Sequence, residues 1–371
     1  MVDLIIVGAG LFGLTVARQL ADQRNIRVKI LEKRPHIGGN CWTYFDDDIE
    51  VHQYGSHIFH TSDSKVWDFV RKFTDFNDYY HEVWANHHGE VYSMPINLGT
   101  INQFFRNNYN PESARTFLAQ KIQNEKILNP QNLEEKAVSL IGRELYEAFI
   151  RDYTAKQWQT DPKLLSSEII TRLPVRYTYD NAYFDDSYQG IPRQGYTQWF
   201  ERMLDHPKIE VELNSNFACA DYPDVPILYT GPIDRFYDYQ YGELGWRTID
   251  FEFEKFAEDL DWQGCAVMNY SDLTEPWTRI IEFKHFHPET PIANTIIARE
   301  FSRSASIADD PYYPINTPND RKLFSQYRKL ADQELLITFG GRLGNYRYFD
   351  MDDTIAAALE LVHSNGIKAL S

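Results

Sequence analysis

The chain has 371 residues, 54 of them acidic and 37 basic, for a formal net charge of −17; 43% are hydrophobic and 15% aromatic. That acidity argues against a nucleic-acid partner, whose phosphates need a basic surface, yet a few local arginines could still hold a small anion. Three scattered cysteines (Cys41, Cys219, Cys265) with no CxxC spacing exclude a disulfide framework or structural zinc site, and no apolar run reaches the ~20 residues that span a membrane.

The opening stretch "LIIVGAGLFGLTVARQLADQ" predicts a buried strand, a G-x-G-x-x-G turn at Gly8, Gly10 and Gly13, and an amphipathic helix. The first glycine permits the tight turn, the second lets backbone approach a pyrophosphate, and the third lets helix and strand pack closely. The helix N-terminus then offers free N–H groups to phosphate. No basic leader segment precedes the strand, so a cytoplasmic protein is expected. A second strand, "VKILE", ends at Glu32, close to the ~20 residues beyond the glycines where a ribose-binding acid is expected. A carboxylate there repels a 2′-phosphate and so favours FAD or NAD over NADP. The turn "KRPHIGGN" follows; it suits a second backbone approach to a long flavin dinucleotide, or is a plain surface turn.

Next comes "EVHQYGSHIFHT", with His52, His57 and His60. No partner motif elsewhere supports a metal, so none is expected. Alternation places His52 as a structural strand residue. A helix is predicted near 63–76, then a hairpin in "VWANHHGEVYSMPINL" turning at His88 and Gly89. Residues 100–158 carry helical periodicity, including one helix through "NLEEKAVSLIGRELYEAFIRDY" with Asn132 and Glu135 at its capped start. Helix and strand return over 197–231. Residues 240–303 alternate as antiparallel strands. A helix near 319–332, the strand "LLITFGGR", a turn and the helix "TIAAALELVHS" close the chain.

The expected fold is α/β. A discontinuous Rossmann-like FAD-binding domain (1–78, 195–240, 315–371) carries a helical insertion (100–171) and an antiparallel β-sheet domain (79–99, 172–194, 241–314).

The segments "VGAGLFG", "EKRPHIGGN", "YGSHIFHT", "MPINL", "YTAKQW", "RLPVRYTYDNAYF", "YQGIPRQGYTQW", "YTGPID", "CAVMNY", "YYPIN" and "GGRLGNYRYFDMD" occur in this order. Together they resemble the bacterial UDP-galactopyranose mutases over essentially the whole chain. The resemblance implies a flavin-dependent isomerase that interconverts UDP-galactopyranose and UDP-galactofuranose for galactofuranose-containing polysaccharides. It implies FAD, active when reduced, with N5 as nucleophile at the anomeric carbon, UDP as leaving group and no net redox change. It also implies a homodimer. A redox flavoenzyme of amine oxidase or desaturase type on the same fold, and a non-catalytic nucleotide-sugar binder, remain alternatives.

The resemblance assigns Arg172 and Arg279 to the diphosphate, where guanidinium pairs two oxygens at once. Taken alone, each is more readily read as a surface ion pair, since most charged residues are exposed. Tyr183, Tyr313 and Tyr348 match tyrosines that reach the phosphates, Trp158 a mobile-loop residue closing over the sugar, Phe149 and Tyr153 the uracil-stacking positions, and Asn269 a uridine contact. Each of these is otherwise ordinary packing. On the cofactor fall Gly8, Gly10, Leu11, Phe12, Gly13, Glu32, Lys33, Gly39, Asn40, His57, Arg342, Tyr348, Asp350 and Met351. His60 is expected at the sugar as a catalytic residue. At His81 several family members carry asparagine, and at Ile150 some carry phenylalanine; both departures fall at the substrate wall.

Overall fold

The computed structural model describes residues 2–170, 173–257 and 261–370. Thr171 and the expected diphosphate ligand Arg172 lie outside the described residues.

A five-stranded sheet runs in the order Ile337–Phe339, Ile227–Tyr229, Leu4–Val7, Val28–Leu31, Ile209–Glu212, with every neighbouring pair parallel. Its central strands are short apolar runs, as a sheet covered on both faces requires. Leu4, Ile5 and Ile6 are fully buried. The helix Leu11–Arg24 follows the first strand and packs against the final helix, Met351–His363, and against Tyr196–Leu204. Tyr196, Trp199, Phe200 and Met203 form the buried stripe of that last helix, at the spacing of one helical face. Strands far apart in sequence therefore build one dinucleotide-type sheet.

The second sheet has seven strands, in the order Tyr313–Pro314, Trp246–Phe256, Thr295–Ser304, Arg279–Glu282, Val267–Tyr270, Val83–His87, Glu90–Met94. It is antiparallel except where Val267–Tyr270 runs parallel to Val83–His87. The hairpin Val83–His87/Glu90–Met94 turns at His88 (φ 52°) and Gly89 (φ 81°), the left-handed pair that a two-residue hairpin loop demands.

The helical region contains Leu98–Phe104, Pro111–Glu125 and Leu133–Ile141, started by Asn97, Asn110 and Asn132. Asn132 Oδ1 accepts from Glu135 N–H at 2.9 Å; Glu135 Oε2 accepts from Gln131 N–H at 2.7 Å rather than from Asn132. The single helix expected through residue 153 is divided. Gly142 (φ 82°) ends one piece, and after Arg143–Tyr146 a π-helical turn spans Glu147–Arg151 before Asp152–Trp158 resumes α geometry. The helix expected near 63–76 is shorter, Ser64–Val70, capped by Asp63.

Candidate functional site: a dinucleotide cavity beside a recessed arginine cluster

A cavity of about 880 Å³ opens at the end of the parallel sheet where the first strand meets the first helix. Every cofactor candidate nominated above lines it except Tyr348 and Asp350. The residues in the cavity are built for a long anionic ligand. The helix Leu11–Arg24 starts at Gly10 with no side-chain cap and no acid in its first turn, so its free N–H groups and partial positive charge face the cavity mouth. A Cβ on Gly8 (φ 107°) would lie 2.3 Å from Thr230 Oγ1, and one on Gly13 would lie 2.3 Å from the carbonyl oxygen of Gly8. The second glycine turn abuts the first: Gly38 N–H donates to the Ala9 carbonyl at 2.8 Å, and a Cβ on Gly39 would lie 3.1 Å from Gly10 Cα. The turn is therefore part of the cradle, not a detached surface loop.

Glu32 is buried at the cavity wall. Its Oε2 accepts from Ala9 N–H at 2.8 Å and its Oε1 from Arg34 N–H at 2.9 Å. Each carboxylate oxygen can accept a second hydrogen bond, which suits a pair of ribose hydroxyls. His57 donates its main-chain N–H to His52 Nδ1 at 3.1 Å, and its own Nδ1 lies 2.7 Å from the Gly55 carbonyl. That carbonyl can only accept, so the Nδ1 carries the proton and Nε2 is left as an acceptor. Burial, then His52, lowers the His57 pKa to about 3, and the ring is neutral at ordinary pH.

Five of the remaining candidates lie on the second sheet (Asn269, Arg279 and Tyr313) or on the helix Asp152–Trp158 (Tyr153 and Trp158). Arg279 opens its strand; Nη2 donates to Tyr153 Oη at 2.7 Å and Nε lies 3.7 Å from Glu300 Oε2. Burial opposes this charge, but Glu300 and Tyr153 outweigh it and hold the guanidinium firmly protonated. Asn269 sits opposite Arg279 in the neighbouring strand, with its Oδ1 buried and without a hydrogen-bond partner. An orphaned acceptor at this point suits a ligand N–H. Trp158 meets Tyr313 edge-on at 6.4 Å.

His60 lies in the short strand Phe59–Thr61, stacked on Phe184 at 3.7 Å, with Nδ1 2.7 Å from Asp186 Oδ2. His81 stacks on Phe184 at 5.3 Å and meets the exposed Tyr183 edge-on. The two histidines thus share one aromatic neighbour. Phe149 is not grouped with them: it is buried in the helical core among Tyr92, Phe104 and His87, and no open stacking face is on show. Tyr348 is exposed and donates to Asp350 Oδ1 at 2.8 Å, and Asp350 caps the final helix. Ile150 is half-buried against the same helical core.

Sequence reasoning passed over Arg247. It is 1% exposed, with Nη2 donating to the Gln157 carbonyl at 2.6 Å and to Ser302 Oγ at 3.2 Å, and Nη1 to Ser304 Oγ at 2.8 Å. Its Nε has no partner, and it makes no ion pair among the described residues. A buried cation without a carboxylate is costly unless an anion joins it. The only available signal was an arginine inside the buried run that opens the strand Trp246–Phe256.

Burial keeps two further histidines neutral. It lowers His52 to about 4 and, with Arg279, His81 to about 3. The unfolded chain takes up protons at these side chains near pH 6.5 and the folded chain does not. Stability is therefore full above that pH and falls as acid is added, by about 2 kcal/mol per histidine at about pH 5. Denaturant unfolding at pH 7 and pH 5 checks this. His57 loses stability in the same way, so His81→Asn should remove roughly a third of the loss shared by His52, His57 and His81; an unchanged loss would rule out His81 as a source.

The sequence profile of the UDP-galactopyranose mutases matches residues 148–348, and that of an NAD(P)-binding Rossmann-like domain matches 6–73. A probable UDP-galactopyranose mutase of Klebsiella pneumoniae is 46% identical over 96% of this chain and 93% of its own. A dTDP-fucopyranose mutase of Escherichia coli is 43% identical over 97% of each. The crystal structure of a reduced UDP-galactopyranose mutase superposes with a TM-score of 0.75 at 17% identity, over 99% of this chain and 96% of the other.

Proposed function

The chain belongs to the UDP-galactopyranose mutase family, and on that footing we propose that it interconverts the pyranose and furanose forms of UDP-galactose with FAD as cofactor. The observation that carries this reading is the pair of recessed guanidiniums, Arg247 and Arg279, both bonded to the helix Asp152–Trp158 beside a cavity shaped for a dinucleotide.

The uncapped helix after Gly10 would hold the FAD pyrophosphate and Glu32 the adenosine ribose, and His57 would offer its Nε2 to the cofactor as an acceptor. When bound and reduced, the flavin supplies a nucleophilic nitrogen that a protein side chain would otherwise have to provide. The chain's own work is positioning and charge. Arg279, with Tyr153 as its hydrogen-bond partner, binds the UDP diphosphate and takes up the negative charge that grows as the sugar–phosphate bond breaks. Arg247 adds a second fixed positive charge. Neither step needs a protein acid, because the diphosphate leaves as an anion. Trp158 and Tyr313 cover the sugar and exclude water; His60 and His81 border it on the Phe184 side.

Anaerobic incubation of FAD-loaded, dithionite-reduced protein with UDP-galactofuranose should give UDP-galactopyranose, and the oxidised protein should give far less. The Escherichia coli relative favours a second reading, in which the sugar nucleotide is dTDP-fucose. Turnover of dTDP-fucofuranose alone would select it. Conversion of neither, or oxygen consumption matching substrate loss, would overturn both in favour of a redox flavoenzyme.

A further inference from the structure

Lys156 takes no part in the chemistry above, yet it is the most heavily bonded ammonium at the site. Its Nζ is surrounded by four main-chain carbonyl oxygens: Tyr270 at 2.7 Å, Asp272 at 2.8 Å, Trp277 at 2.8 Å and Glu275 at 3.0 Å. These come from the loop joining the strand Val267–Tyr270, which carries Asn269, to the strand that begins at Arg279. An ammonium has three N–H donors, so four acceptors share them, and the loop is wrapped around a cation. Asp272, Glu275 and Asp152 stand near enough to favour its charge, but among the described residues Lys156 forms no direct ion pair; its hydrogen bonds go to main-chain carbonyls.

The loop has a second anchor on its far side. The Asp272 carboxylate accepts from His87 Nδ1 at 2.8 Å and from His88 N–H at 2.6 Å, tying it to the hairpin turn. At the next helical residue, the Gln157 carbonyl accepts from Arg247 and Ser302. Lys156 and Gln157 thus fix the end of one short helix to two separate parts of the sheet. Tyr153 lies one turn back on that helix, and its hydroxyl meets Arg279 across the gap.

We infer that Lys156 is a positioning residue: its ammonium fills a carbonyl ring that seats the helix bearing Tyr153 and Trp158 against the strand bearing Arg279, and the emptied ring would take a free ammonium or potassium ion. Rings of carbonyls replace the hydration shell of such monovalent cations. The inference rests on the mutase reading only in treating Tyr153 and Arg279 as substrate-side groups; the ring itself is tested without substrate.

Lys156→Ala opens the ring, and Lys156→Met fills the stem without restoring charge. In the oxidised, FAD-loaded protein both variants should bind UDP about tenfold or more weakly, as loss of charge-assisted hydrogen bonds implies. Ammonium or potassium chloride should raise the melting temperature of the alanine variant and recover most of its UDP affinity. Tetramethylammonium chloride at equal ionic strength should do neither, and the methionine variant should respond to none of the salts. In turnover the loss should fall on KM more than on kcat. Wild-type UDP affinity in both variants would overturn the inference, as would equal recovery, or no recovery, with all three salts. If the alanine variant fails to fold, hydrogen exchange in the methionine variant decides: residues 270–278 should exchange faster than in the wild type, and unchanged exchange overturns the inference. Should no sugar nucleotide be converted by the wild type, the salt-dependent melting still tests the ring.

Discussion

Replacing Arg279 with alanine should lower kcat/KM by about a thousandfold, or ~4 kcal/mol, with most of the loss in kcat. The guanidinium does two things that alanine cannot. It faces the proposed diphosphate, where charge accumulates only as UDP departs, so its benefit is larger in the transition state than in the bound substrate. It also balances Glu300, which is 8% exposed and accepts a 3.1 Å hydrogen bond at its main-chain carbonyl from Thr278 Oγ1. Alanine leaves that carboxylate facing the anionic ligand with no cation between them. Arg279→Lys keeps a charge but not the fork that reaches Tyr153 and ligand together, so its loss should be intermediate. Steady-state turnover of the reduced protein, with UDP affinity of the oxidised protein measured in parallel, separates the two contributions. An alanine variant within tenfold of wild-type kcat/KM would remove Arg279 from the role proposed for it.

Two glycine substitutions should separate the cofactor cradle from the fold. Gly13→Ala places a Cβ 2.3 Å from the Gly8 carbonyl oxygen and 3.1 Å from Ile6 Cγ2. Neither the backbone atom nor the buried strand can move freely, so the helix must lift off the sheet. The expected result is a colourless protein destabilised by about 3 kcal/mol, at the upper end of ordinary overpacking. Gly10→Ala is a different case. Its backbone is extended, φ −77° and ψ 172°, and the nearest neighbour of an added Cβ is Gly39 Cα at 4.0 Å. The folded protein accommodates that methyl group, but the methyl stands where the pyrophosphate must approach the main chain. The apoprotein should melt as the wild type does and bind FAD about a hundredfold more weakly, a loss of ~3 kcal/mol. Thermal melts of the apoproteins and FAD titrations read both effects. Equal FAD affinity in Gly10→Ala and wild type would place the pyrophosphate elsewhere.

The first sixty residues were legible because strand, turn, helix and ribose acid are consecutive and each leaves a local pattern. The strands Ile227–Tyr229 and Ile337–Phe339 read as strands, but nothing local says that the former pairs with the first strand and the latter with the former; only long-range pairing does. The division of the helix after residue 132 was half visible. Gly142 is a helix-ending signal inside an otherwise continuous apolar stripe, and the stripe outweighed it. The π-helical turn leaves no comparable local trace; within it Ala148 and Phe149 are buried in the helical core. Arg247 was hidden for a related reason: strand alternation says which way a residue faces, not whether a charge facing inward is matched. Phe149 shows the reverse, a residue whose resemblance to a stacking position the structure meets with a buried core environment.

The π-helical turn at Glu147–Arg151 has a consequence for how this chain tolerates change in length. Such a turn holds one more residue than α geometry would. Each residue of an α-helix advances the bearing of its side chain by about 100° and its position by about 1.5 Å. The compass direction of everything from Asp152 to Trp158 is therefore set by a single surplus residue upstream. Remove it, and the segment would relax to plain α geometry while Tyr153, Lys156 and Gln157 swung about a quarter-turn from the partners they now meet. Shortening this stretch by one residue is not a small edit but a rotation of the whole face, whereas shortening the loop before Asn132 leaves that bearing untouched.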